Sequence, residues 1–124
     1  MVLPTKTELD VLQVLWQLGP STVRFVHDKL NEQKEMVQYT STLKLMQVMK
    51  EKGMLDRDET NMKHVYSAAI AEEKIKGNML GRFMDTMYNG SSSSLMLALL
   101  KNDKTSKAEL EKIKELVAGM KKGK

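Results

Sequence analysis

Gly53 divides two patterns that a single element cannot hold. Ahead of it, in YTSTLKLMQVMKEK, the residues Thr42, Leu45, Met46 and Met49 recur at helical spacing, while Thr40, Lys44, Gln47 and Glu51 take the opposite face. Behind it, MLDRD and KHVYSAA read as two short strands joined by the polar turn Glu59-Thr60-Asn61-Met62. A glycine at this junction suits the left-handed residue that ends a helix. An amphipathic helix must therefore hand over directly to a hairpin.

Two more helical patterns precede it. Thr5 and Glu8 have capping-box spacing, and Leu9, Leu12, Leu15 and Trp16 follow at helical intervals until Gly19-Pro20 stops them, which predicts a helix over 6–18. Ser21 or Thr22 can cap a second helix, with Val23, Val26 and Leu30 as its apolar stripe before the polar NEQKE. Three helices followed by a hairpin is the order of a winged helix-turn-helix. The expected class is mainly α (α+β), with residues 1–70 as a winged-helix DNA-binding domain carrying a two-stranded wing.

From Ala71 to Tyr88 a long stripe of Ile75, Met79, Leu80, Phe83, Met84 and Met87 is interrupted by Gly77 and Gly81. Asn89-Gly90 breaks it, and serines 91–94 read as a turn plus N-cap for a helix over Leu95–Leu100. Ser106 and Glu109 repeat the capping-box spacing ahead of a last stripe, Leu110, Ile113, Leu116 with Val117, and Met120. These helices have apolar faces but too little chain to fold back into a bundle of their own. Residues 71–124 are therefore expected to be a helical dimerisation region whose partner is a second copy of the chain. Leu95, Met96, Leu99 and Leu100 would form its centre, joined by Phe83, Met87, Leu110, Ile113 and Leu116.

Composition removes several function classes. The absence of cysteine excludes disulfides, thiolate metal sites and cysteine nucleophiles. His27 and His64 stand far apart with no HExxH and no carboxylate at ligand spacing, so surface or hairpin positions are expected for both and a metal site is not. No Ser-His-Asp or paired-carboxylate pattern stands out, and GSSSS lacks the lysine of a phosphate-binding loop. Neither an enzyme nor a cofactor is indicated. The eleven methionines fall mostly at stripe positions, which suits adaptable packing. The N-terminal MVLPTKTELD has no basic n-region before an apolar h-region, and the longest apolar run, Leu95–Leu100, is six residues. That falls far short of the roughly 20 a membrane span needs, so a cytoplasmic protein without membrane insertion is expected.

The net charge of +4 is unevenly placed: residues 1–66 carry nine basic and nine acidic side chains, residues 67–124 eleven and seven. Local placement must then carry any case for a polyanionic partner. In a helix-turn-helix the second helix of the pair enters the major groove, its first residues reaching base edges while hydroxyls and lysines touch phosphates. Here Tyr39, Thr40, Ser41 and Thr42 crowd that N-terminus, Lys44 could reach a guanine or a phosphate, and Gln47 could pair with adenine. A wing after Gly53 would bring Arg57 and Lys63 over the flanking backbone. The plainer reading makes Thr-Ser-Thr an ordinary cap and Lys44 and Gln47 a solvated face. It corresponds to a winged-helix protein-interaction module that does not bind DNA, which the balanced charge of the N-terminal half permits.

The segments TELDVLQVLWQLG, YTSTLKLMQVMKEKGML, HVYSA and FMDTMYNGSSSSLMLALLKNDKTSKAELEKIKEL together resemble the penicillinase repressor family of transcriptional regulators, over nearly the whole chain. The resemblance implies a cytoplasmic homodimer that binds double-stranded DNA at an inverted-repeat, palindromic operator and represses transcription. By that likeness residues 39–47 read the major groove and Arg57 and Lys63 flank it. Where family members commonly have a further basic side chain, this helix has Met46, Gln47 and Val48. In antibiotic-responsive members a membrane-bound metalloprotease sensor triggers cleavage within the helix that SLMLALL resembles. The matching bond here is Ala98–Leu99, where those members have Asn before an aromatic residue. The copper-responsive branch carries a cysteine-rich C-terminal motif; its absence excludes thiolate sensing of copper or zinc.

Overall fold

A computed structural model of the chain describes residues 3–33, 37–60 and 62–122. It comprises two compact units, Met1–Met79 and Leu80–Lys124. The elements are α1 (Lys6–Leu18), α2 (Val23–Gln33), α3 (Tyr39–Glu51), β1 (Leu55–Asp58), β2 (Val65–Ala68), α4 (Glu72–Tyr88), α5 (Ser92–Lys101) and α6 (Lys107–Lys122). The division falls inside α4.

The capping box at α1 is reciprocal. The Thr5 hydroxyl accepts the Glu8 N–H at 3.2 Å, and Glu8 Oε1 accepts the Thr5 N–H at 2.9 Å. Glu8 is buried, and its other oxygen accepts from Lys52 Nζ at 3.0 Å, which ties the start of α1 to the end of α3. Burial works to raise the Glu8 carboxyl, but the bonds from Thr5 and Lys52 outweigh it and hold the group below the ordinary carboxylate value. Gly19, at φ 85°, closes α1 by donating to Leu15 O at 2.9 Å. Of the two candidate caps for α2, the Thr22 hydroxyl accepts the Phe25 N–H at 3.2 Å. Ser21 instead exchanges two main-chain bonds with Tyr66, at 2.9 and 2.8 Å.

The end of α3 follows from Gly53. With φ at 83° it turns the chain left-handed, and the Met54 N–H reaches back to Met49 O at 2.9 Å. The hairpin begins one residue later. β1 and β2 pair antiparallel, with Leu55 opposite Ala68 and Arg57 opposite Tyr66. In the turn, the Asp58 carboxylate accepts both the N–H and the hydroxyl of Thr60, at 2.9 and 2.7 Å, which holds its pKa below the usual value. Of the expected turn residues, Asn61 lies outside the described residues.

The core of the first unit takes Val11, Leu12, Val14 and Leu15 from α1, Val23 and Val26 from α2, Met46 and Met49 from α3, then Met54, Leu55 and Tyr66. At about 1.5–3 kcal/mol for each fully buried aliphatic or methionine side chain, this cluster is what assembles three short helices around a hairpin. Trp16 Nε1 donates to Ile70 O at 3.0 Å and so fixes the segment leaving β2 against α1.

The second unit is helical. Asn89 and Gly90, both with positive φ, turn the chain after α4. The Ser91 hydroxyl accepts the Ser94 N–H at 3.1 Å, so serines 92–94, expected to lie in a turn, form the first turn of α5 with Ser91 alone as cap. Ser106 caps α6 by accepting the Glu109 N–H at 3.1 Å. Phe83 and Tyr88 meet edge to face at 5.7 Å. Among the described residues of this unit no side chain is buried, and Leu80, Phe83, Met87, Leu97, Leu99, Leu100, Leu116 and Val117 are exposed.

Candidate nucleic-acid interface

The two faces of α3 meet opposite environments. Met46 and Met49 are fully buried, while Thr40, Ser41, Lys44 and Gln47 are exposed along one side. No side chain caps the helix: Gln38 holds the cap position, and its carbonyl accepts the Ser41 and Thr42 N–H groups at 3.1 and 3.3 Å. The hydroxyls of residues 40–42 thus lie inside the helix rather than at its cap, and the positive end of the dipole is left to an outside anion.

Beside this face lies a cleft of about 380 Å³, walled by Thr22, Val23 and Arg24 of α2, Tyr39, Leu43 and Gln47 of α3, and Met62, Lys63, His64 and Tyr66 of the wing. It brings together three residues expected from the sequence, Tyr39, Gln47 and Lys63. It also adds two that were not, Arg24 and His64. The Arg24 guanidinium lies over the Tyr39 ring, 4.2 Å from its centre, a cation–π stack that holds an arginine at the mouth of the cleft. Nothing in the apolar spacing of α2 marked Arg24, because the orientation of its first turn toward α3 is a tertiary fact.

Two expected contacts are placed otherwise. Thr42 is 2% exposed and its hydroxyl is bonded to His27 Nδ1 at 2.9 Å, so it supports the helix from inside and does not reach a groove. The physical reason is its spacing, which puts it on the same stripe as Met46 and Met49. Arg57 faces Tyr66 across the hairpin, donates to the Tyr66 hydroxyl at 3.4 Å and pairs with Glu59. Its charge is answered within the wing before any phosphate is met.

The two histidines differ. His64 is exposed on the hairpin, as expected, whereas His27, expected at the surface, is 6% exposed and held between α2 and α3. Among the described residues no three His, Asp or Glu side chains are grouped as metal ligands, and no helix is long and apolar enough to cross a membrane.

A buried three-helix core, an antiparallel wing behind it and a polar face on α3 define a winged helix-turn-helix protein. The chain belongs to the penicillinase repressor family, whose model matches residues 4–119. It is 22% identical over 113 residues to the methicillin resistance regulatory protein MecI of Staphylococcus aureus strain N315, covering 91% of each chain. It is 24% identical over 110 residues to the penicillinase repressor of Staphylococcus aureus, covering 89% of this chain and 86% of the other. To the penicillinase repressor of Bacillus licheniformis it is 26% identical over 110 residues, covering 89% and 85%. Among solved structures, the transcriptional regulator Tm0710 from Thermotoga maritima shares the fold, with TM-score 0.55, 20% identity, and coverage of 96% of this chain and 78% of that one. The curated relatives are named as repressors or regulatory proteins, not as enzymes, and this chain is a member of their family.

Proposed function

We propose that the chain acts as a homodimeric repressor that seats one α3 in each half of a palindromic operator. The observation that supports it best is the exposed face of Thr40, Ser41, Lys44 and Gln47 beside the cleft that gathers Tyr39, Arg24, Lys63 and His64. Lys44 and Gln47 have the donors for guanine and adenine edges, and the cleft between helix and wing suits the sugar-phosphate strand that borders the groove. In this reading Lys63 is kept and Arg24 added, while Thr42 and Arg57 drop out as contacts.

Support for the dimer comes from the second unit. Its helices leave Phe83, Met87, Leu99, Leu100 and Leu116 exposed, with Leu95, Met96, Leu110 and Ile113 half-buried, and such a surface suits a second copy. Ala98 and Leu99 lie within α5, and Leu99 is among its exposed residues. Cleavage of this bond by a membrane-bound metalloprotease sensor would sever α6 from the chain and dissolve the two-headed grip on DNA. Induction by that route is part of the proposal.

The test is selection of bound duplexes from random DNA at near-physiological salt. A two-fold symmetric motif, bound with an affinity that falls steeply as salt rises, is the expected result. Folded protein that enriches no sequence would overturn it in favour of a protein-interaction module, with residues 39–47 as its contact surface.

A further inference from the structure

A chain of polar groups links α2 to Val37 and to α3. The Val37 N–H donates to Asn31 Oδ1 at 3.1 Å. This leaves the Asn31 amide nitrogen facing His27 Nε2, also at 3.1 Å. An amide NH₂ only donates, so Nε2 accepts, the proton of the neutral ring lies on Nδ1, and Nδ1 donates to Thr42 Oγ1 at 2.9 Å. The His27 ring also stands edge-on to Tyr39, 5.6 Å between centres, at the first residue of α3. One buried imidazole thus meets Asn31 near the end of α2, the start of the recognition helix and its inner face.

We propose that His27 is the positioning residue of the recognition helix and a proton switch: the first turn of α3 is locked while Nε2 is bare and released when it takes a proton from water. Protonation sets the new N–H against the Asn31 NH₂, donor against donor. The amide can turn over to present its oxygen, but its nitrogen then meets the Val37 N–H, and the conflict moves by one bond. Either bond, once lost, frees Val37 or the ring that Tyr39 rests on. The charged and titratable groups around the site are Arg24 across the Tyr39 ring, Tyr39 itself, Asp28 beside His27 in the chain, and Asp10 of α1. Asp10 shares a cavity wall with Asn31 and Thr42 and pairs with Lys6 at 3.6 Å. The consequence for DNA rests on the repressor reading; the lock itself does not.

The experiment uses the full chain in isolation, with nitrogen-15 NMR between about pH 8 and pH 5, where histidines titrate. Expected are a proton on Nδ1 at the alkaline end, and Val37 amide and Tyr39 ring signals that move with the midpoint of the His27 ring. The variant Asn31→Asp supplies one oxygen for Val37 and another for an N–H on Nε2, which the neutral ring can also carry while Nδ1 accepts from the Thr42 hydroxyl, so there His27 should gain its proton with Val37 and Tyr39 unmoved. On a duplex selected by the wild-type protein, acid should weaken wild-type binding by about fivefold more than binding by Asn31→Asp, the low end of coupling between sites. A His27 ring that titrates in the wild type while Val37 and Tyr39 stay still overturns the proposal, as does an equal acid response in Asn31→Asp. Coupled titration in a protein that selects no duplex upholds the lock and refutes the DNA reading alone.

Discussion

Replacing Glu8 by alanine removes two things at once: the acceptor for the Thr5 N–H, which is half of the α1 capping box, and the partner of Lys52. The capping share is about 1 kcal/mol. The ion pair, at 3.0 Å, corresponds to about 5–6 kcal/mol of gross attraction at an effective dielectric constant of about 20. The Lys52 side chain is 52% exposed, however, and solvent screening brings such a pair to about 1 kcal/mol net. Glu8→Ala should therefore cost about 2 kcal/mol, Lys52→Met about 1, and the double variant about 1 less than the two costs added together. Urea unfolding followed by fluorescence is the assay, because the single tryptophan, Trp16, lies in α1 and reports on the first unit. The pair also has a pH signature. Since Glu8 titrates lower in the folded chain, its stabilisation is complete above about pH 4.5, the ordinary value, and fades as pH falls through the folded value. That acid-dependent loss should shrink in Lys52→Met. Additive costs in the double variant, with an unchanged acid response, would refute the tie between α1 and α3.

Met46→Ala, at a fully buried position, should destabilise the first unit by about 2–4 kcal/mol in the same urea assay. Lys44→Ala should weaken binding to a selected duplex by about 1–3 kcal/mol, whereas Arg57→Ala, whose guanidinium is already paired with Glu59, should leave the salt slope nearly unchanged. Leu99→Glu should shift the molecular mass seen by sedimentation from dimer to monomer without loss of the circular dichroism of the helices.

Much of the fold can be read along the chain, because its signals are local. Thr5 with Glu8 marks a helix start, Gly53 a stop, and the spacing of Leu12, Leu15, Met46 and Met49 a buried face; each needs only its near neighbours to act. The interface is less legible. Thr40, Ser41, Lys44 and Gln47 follow from the period of α3, but Thr42 is polar by chemistry and interior by position, and only the presence of His27 resolves that conflict. Arg57 shows the same limit in a strand. Its charge suggests a phosphate, and pairing opposite Tyr66, set by the register of the hairpin, turns it inward. Arg24 and His64 enter the cleft because α2 and the wing approach α3, which no stretch of sequence records by itself.

The bridge between Ser21 and Tyr66 bears on how such a protein behaves when crowded. A two-stranded sheet has two open edges, and an open edge is a template for adding strands from other molecules. Here the outer edge of β2 is occupied at its centre by Ser21, and β1, only four residues long, carries Asp56, Arg57 and Asp58 in a row. Both edges are blunted, one by a borrowed residue and the other by charge. The wing can therefore be brought close to another copy without seeding an intermolecular sheet.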